Sequence, residues 1–214
     1  MSIYVVGSTK NTFLPLDGYR TKFLVDQKHE GANIDFLNGY MCELTGLYYM
    51  WKHCDDDIVG LEHYRRYLCY TGSQPIPEPM SRKLLETYDI LCTTVKYPPG
   101  KPVKTYLIAN GKSDAMMRFI TVLGAIHGKG YSDHCLKYIN GDTHILGNMF
   151  IAKKPLADAY CDYLFKAMQM FMVTEAKDHR PLQPRICGYL SEFLLGAYLS
   201  FNGIRVHRVG LRMI

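Results

Sequence analysis

Short β-forming runs that alternate with amphipathic helices constrain this chain more than any other property of its sequence. Ile3-Tyr4-Val5-Val6-Gly7 is a compact apolar run closed by glycine, so a strand is expected there, with Ser8-Thr9-Lys10 opening a loop. Residues 11–31 show no clear period. From Asp35, an N-cap residue type, Phe36, Tyr40, Leu44, Leu47, Tyr48 and Trp51 recur at three and four residues and predict a helix to about Lys52. Asp55-Asp56-Asp57 then forms an acidic turn ahead of the buried-strand sequence Ile58-Val59-Gly60-Leu61. Further strands are expected at Tyr88–Val95, His144–Lys154 and Ile204–Leu211, and helices at Asp114–His127, from Pro155 to about Glu175, and at Gly188–Phe201. The proline-rich stretches 71–79 and 97–102 are loops. This order predicts an α/β fold with a mostly parallel sheet and helices on both faces. Ligands of such sheets sit beyond the C-terminal strand ends, here just after Gly7, Leu61 and Val95.

The 214 residues suit one domain spanning 1–214, and 48% hydrophobic residues exclude a disordered chain. No apolar run approaches membrane-spanning length, and the N-terminal residues lack the pattern of a secretory leader, so a cytoplasmic protein is expected. The seven cysteines are odd in number and contain no C-x-x-C pair, which argues against a disulfide framework and against a cysteine-based zinc site. The net charge of +5 suits a phosphate-bearing or polyanionic partner and leaves nucleotide, nucleic acid and anionic membrane open.

The most unusual local sequence is Gly60-Leu61-Glu62-His63-Tyr64-Arg65-Arg66-Tyr67. Two adjacent arginines beyond a buried strand can clamp a diphosphate, with a tyrosine ring beside them to stack on a base or sugar; the alternative is an exposed basic strand end. Glu62 and His63 alone make a weak metal site. Asp55-Asp56-Asp57 resembles an acidic metal run but precedes its strand, so a solvated turn is expected. Glu43 and Glu192 lie in apolar helices, where a carboxylate must be paired or protonated. Glu192 is equally a general base or the partner of Arg185, whereas Glu43 is expected to be structural. His134 and His144 are expected to be structural histidines. Gly7-Ser8-Thr9-Lys10 lacks the spacing of a phosphate loop, and no G-x-G-x-x-G, G-x-S-x-G or kinase loop is present.

Several blocks together carry a resemblance: Asn33-Ile34, Asn38, Cys42-Glu43-Leu44-Thr45, Tyr48-Tyr49-Met50-Trp51-Lys52, Ile58 through Tyr67, Gly147-Asn148-Met149-Phe150-Ile151, and Arg185 through Glu192. They resemble the glycosyltransferase domain, formerly of unknown function, of bacterial capsular and exopolysaccharide loci. The resemblance implies a GT-A-like, Rossmann-type domain that uses a nucleotide-activated sugar, with galactofuranose transfer associated with some members. It places His63, Tyr64, Arg65 and Arg66 where other GT-A enzymes keep Asp-x-Asp. Arginines there would neutralise the leaving diphosphate and make a divalent metal (manganese or magnesium) dispensable. On this reading Arg65 and Arg66 take the diphosphate, with Arg185 also on the donor side. Tyr64 and His63 shape the donor site, Gly7 and Ser8 admit the nucleotide, Asn148 bonds a sugar, and Glu192 or Glu62 is the base, with His63 a further candidate for proton transfer.

The acceptor implied is a glycan or lipid-linked precursor, and the basic charge suits peripheral attachment to an anionic membrane. A second reading is a DNA glycosyltransferase acting on hydroxymethylated bases, for which the lysines between Lys96 and Lys104 would meet the phosphate backbone. A third is a non-catalytic module that binds glycan or nucleic acid.

Overall fold

The computed structural model describes residues 1–70, 74–98 and 101–214, without the side chains of Tyr106 and Leu146. Strands β1 (Ser2–Gly7) and β2 (Arg20–Leu24) are followed by a 3-10 turn, Asp35–Leu37, that runs into helices α1 (Asn38–Met41) and α2 (Leu44–His53). Next come β3 (Ile58–His63), β4 (Arg66–Cys69), α3 (Glu78–Thr87) and β5 (Ile90–Lys96). Helices α4 (Val103–Ala109), α5 (Ser113–His127) and α6 (Lys129–Ile139) precede β6 (Thr143–Lys153), and α7 (Lys154–Lys177), α8 (Ile186–Phe201), β7 (Val206–Arg208) and β8 (Gly210–Met213) complete the chain. The proline-rich loops expected at 71–79 and 97–102 lie partly outside the described residues.

The sheet order is β2-β1-β3-β6-β5-β7, with β4 pairing β3 and β8. Along the main path every strand points the same way except β6, which is antiparallel to both β3 and β5. Alternation along the strands divides the core. Val59 and Leu61 of β3, with Phe150 and Ala152 of β6, meet the helix layer of α2, α5, α6, α7 and α8. Ile58, Met149 and Ile151 face the other way, onto Leu85 of α3 and onto Leu68 and Val209. The α/β architecture with helices on both faces is thus present, with a much thicker layer on one face.

Two breaks in regularity shape the cleft. The helix expected from Asp35 to Lys52 is interrupted at Cys42, whose φ of 54° turns the chain between α1 and α2. In β6 the register with β5 passes from Ile145↔Thr94 to Phe150↔Cys92, leaving residues 146–149 bulged opposite Thr93. Gly147 and Asn148 in that bulge are both left-handed, at φ 77° and 52°.

Candidate active site

Two adjoining hollows of about 590 and 600 Å³ open at the C-terminal ends of β1 and β3 and share Cys42, Glu43, His63 and Arg185. Of the three strand ends expected to border a site, those after Gly7 and Leu61 do so; Val95 and Lys96 line neither hollow. One hollow carries Gly7, Ser8, Asn11 and Tyr64, and the other carries Arg65, Arg66, Gly147, Tyr189 and Glu192. Gly7 has no room for a side chain, since a Cβ there would stand 2.7 Å from the Phe13 ring and 2.9 Å from Tyr64 Cβ. Its role is to let the following loop fold back over the strand end. Ser8 caps that loop, its backbone N–H and hydroxyl both donating to Asn11 Oδ1 at 2.7 and 2.9 Å.

The arginine-bearing turn is fixed through its backbone. Tyr64 N–H donates to Val6 C=O at 2.9 Å, Ile214 N–H donates to Arg65 C=O at 3.1 Å, and Arg66 pairs with Met213 of β8. The side chains contrast with this tied backbone: the Nε atoms of Arg65 and Arg66 and Nδ1 of His63 are buried with no hydrogen-bond partner among the described residues. Arg185, itself left-handed at φ 62°, enters from the start of α8, with its backbone N–H donating to Gly39 C=O at 2.9 Å. Burial, then the charges of Arg65, Arg66 and Arg185, hold the His63 imidazole down at about 4. His63 is therefore neutral at pH 7, held so first by burial and second by the three guanidiniums around it.

Opposite the guanidiniums stand two carboxyls. Glu43, at the break before α2, is half-buried; burial and then the nearby Glu192 charge push its pKa up, against a bond donated by Asn148. Glu192 Oε2 is buried without a hydrogen-bond partner and lies 3.9 Å from Nε2 of His144, itself a buried residue behind the cleft. Asn148 anchors this wall. Its amide nitrogen donates to Ser191 Oγ at 2.6 Å, Glu43 Oε1 at 3.0 Å and Gly188 C=O at 3.4 Å. Gly147, left-handed beside it, lies under Arg66, whose Nη1 would stand 3.5 Å from a Cβ at that position.

Several expectations change. Glu62, one candidate base, points to the other face of β3 and is 1% exposed; Arg20 donates to it through Nε at 2.7 Å and Nη2 at 3.2 Å, and Leu68 N–H at 3.0 Å. Burial pushes Glu62 up, but this two-point grip and the Leu68 amide favour its charged form, and Arg20 is held above its usual value by the same contact. Glu62 is therefore committed to a buried ion pair, and Glu192 is the candidate base left in the cleft. Asn148, expected to bond a sugar, is 0% exposed and acts from beneath the surface. Glu43, expected to be structural, lines both hollows. Its neighbour Cys42 turns the chain there, and nothing in the residue type announces a left-handed cysteine. Tyr189 is a further lining residue that sequence reasoning did not single out as functional.

The acidic run lies at the opposite end of β3, where Asp56 accepts from Ser2 Oγ and Asp57 accepts from Arg82 at 2.7 Å. His134 bonds Ser200 Oγ at 2.8 Å, away from the cleft. Among the described residues no three His, Cys, Asp or Glu side chains stand together as a metal site, and the three guanidiniums facing the carboxyls do not fit a divalent cation between them. The lysine-rich segment Lys96–Lys104 lies partly outside the described residues. No helix among the described residues is long and apolar enough to cross a membrane.

Comparison with known proteins gives three findings. The model of a family described as a domain of unknown function, DUF4422, matches residues 4–203. The solved apo structure of the WbbM bifunctional glycosyltransferase is similar over 100% of this chain and 45% of its own, at TM-score 0.74 and 19% identity, a likeness of fold. The chain thus spans less than half the length of that protein. A structure of Core-mannan synthase A from Aspergillus fumigatus in a Mn/GDP form aligns over 83% of this chain and 46% of its own at 15% identity, with a TM-score of 0.33 that carries no argument. No curated protein matches.

Proposed function

This chain belongs to the DUF4422 family, and from that footing we propose that it is a glycosyltransferase that moves a sugar from a nucleoside diphosphate to a glycan hydroxyl. One observation carries the reading: Arg65, Arg66 and Arg185 converge on a cleft at the strand ends, two of them with buried Nε atoms left without partners, facing the carboxyls of Glu43 and Glu192. A cluster of three guanidiniums faced by two carboxyls keeps an excess of positive charge, which a pyrophosphate matches because its oxygens accept two-point bonds.

In the reaction the nucleotide enters beside Ser8 and Tyr64, and its diphosphate lies against Arg65, Arg66 and Arg185. Glu192 removes the proton of the acceptor hydroxyl as that oxygen bonds to the anomeric carbon, and the bond from that carbon to the diphosphate oxygen breaks. The departing nucleoside diphosphate gains one negative charge as the bond breaks and meets fixed positive charge, which supplies the stabilisation that a metal ion gives in related chemistry. Burial and the Glu192 charge push the Glu43 pKa up, which lessens repulsion between the two carboxyls. Transfer of galactofuranose to a polysaccharide precursor fits this scheme, and attachment of the basic protein to an anionic membrane would bring it to a lipid-linked acceptor.

The test is a thermal-shift panel of nucleoside diphosphates and nucleotide sugars, with and without manganese, on wild type and on Arg65→Ala/Arg66→Ala. One nucleotide is expected to raise Tm, without manganese, in the wild type only. No shift with any nucleotide overturns the reading in favour of a binding module, and duplex DNA bound with a steep salt dependence moves the acceptor to nucleic acid.

A further inference from the structure

Among the described residues, three of the four non-glycine residues with left-handed backbone stand around one carboxyl. Cys42 (φ 54°) precedes Glu43, Asn148 (φ 52°) bonds it, and Arg185 (φ 62°) lines both hollows with it. Asparagine tolerates this conformation, whereas cysteine and arginine adopt it at a cost. Such costs gather where a site needs the geometry.

The carboxyl so placed does little for the fold. Glu43 stands at the start of α2, yet its side chain makes no capping bond to that helix. Glu62 is gripped at two points by an arginine, but Glu43 is held by the neutral amide of Asn148, at 3.0 Å on Oε1. Asn148 is fully buried and also tied to Ser191 Oγ and Gly188 C=O, so the anchor is rigid. The carboxyl it holds stays half-buried where the two hollows join.

Position decides what Glu43 meets. This inference rests on the assignment of the arginines to the diphosphate and of Glu192 to the base, which puts the transferred sugar between them. That is the hollow that Glu43 lines together with Arg65, Arg66 and Glu192. Its charged and polar lining suits ring hydroxyls, each of which can donate to a carboxyl oxygen. We infer that Glu43 is a specificity-determining residue, accepting hydrogen bonds from hydroxyls of the sugar that is transferred. The chemical class of its ligand is a polyhydroxylated sugar still joined to its nucleoside diphosphate.

The experiment is calorimetric titration of wild type, Glu43→Ala and Glu43→Asp with UDP, GDP and dTDP, and with UDP-galactopyranose, UDP-galactofuranose, UDP-glucose, GDP-mannose and dTDP-rhamnose. Each nucleotide sugar is read as the ratio of its Kd to that of its own diphosphate, because removing a carboxyl beside the arginines tightens both. Wild type is expected to bind at least one nucleotide sugar, and Glu43→Ala to worsen its ratio about tenfold, the loss of a hydrogen bond. Analogues of that nucleotide sugar, each with one hydroxyl replaced by hydrogen, give the second readout. One of them is expected to bind wild type about tenfold more weakly than the parent and Glu43→Ala no more weakly, a coupling that a merely structural carboxyl does not produce. If Glu43→Ala does not fold, Glu43→Asp, which draws the carboxyl back by one methylene, is read in its place with the same expectation. An unchanged ratio, an equal loss for sugar and diphosphate, or no coupled hydroxyl overturns the role of Glu43 and leaves the diphosphate site standing. Binding of diphosphate without any nucleotide sugar does the same. If the wild type binds no nucleotide at all, the donor reading fails and this inference falls with it.

Discussion

Glu62 and His63 are neighbours on one strand, yet they live in opposite electrostatic worlds. On one face of β3, Glu62 is sealed from water and answered by Arg20 inside the same core. On the other, His63 is surrounded by Arg65, Arg66 and Arg185, and burial with their charge suppresses its proton. One face closes its charge balance internally and serves the fold. The other sets three guanidiniums against two carboxyls in an open hollow, with the Nε atoms of Arg65 and Arg66 left without a hydrogen-bond partner among the described residues. Buried charge is thus evidence of function only where its partner is missing.

The contrast breaks most visibly at the closed face. Glu62→Gln leaves the Arg20 guanidinium only its Asp17 carboxylate, at 2.7 Å, and the Ile76 carbonyl, and is expected to lower unfolding free energy by about 3 kcal/mol in a urea titration, whereas Arg20→Met/Glu62→Leu recovers most of the loss. A loss below about 1 kcal/mol for the single variant would mean that the pair adds little. The wall of the open cleft gives a smaller effect. Asn148→Ala removes donors to Glu43, Ser191 and Gly188 and is expected to cost about 1–3 kcal/mol by the same titration. It also raises the pKa of Glu43 further, because the Asn148 bond opposes the upward push of burial and Glu192.

The smallest effect sharpens the comparison at His63. Its folded pKa of about 4 lies below the unfolded value near 6.5, so between those pH values the unfolded chain holds a proton that the folded chain lacks. Stability is therefore complete above pH 6.5 and falls as pH drops towards 4. A bound diphosphate reverses part of the local field, so nucleotide binding at pH 5.5 is expected to take up a fraction of a proton. Calorimetry in buffers of different ionisation enthalpy reads that uptake, and His63→Gln abolishes it. Equal uptake by the variant would place the proton elsewhere.

The parts of this molecule legible in the sequence are those governed by local period. β1, β3, β5, α5, α7 and α8 follow from apolar spacing, and the arginine turn follows from its place after a buried strand. β2 has only five residues with two exposed in its middle, and α6 is interspersed with Lys, Asp, Ser and His, so neither shows a strong apolar pattern. The choice between Glu62 and Glu192 as base could not be made locally, because Arg20 lies 42 residues from Glu62 in sequence and meets it only across the sheet. Glu43 was likewise opaque. Its exposure to the cleft depends on the backbone turn at Cys42, a left-handed conformation with no compositional mark.

The reversed strand has a consequence for how the protein is made. β6 delivers its bulge to the cleft from the middle of the chain, and Asn148 reaches back 105 residues to Glu43 and forward 43 to Ser191. Contacts of such sequence separation form late, because loop closure must precede them. During synthesis the arginine turn emerges well before α8, so a nascent chain carries its cationic hairpin without the opposite wall. Ligand capture is thereby expected to report complete folding, and a thermal shift by nucleotide would serve as an assay of assembly as much as of affinity.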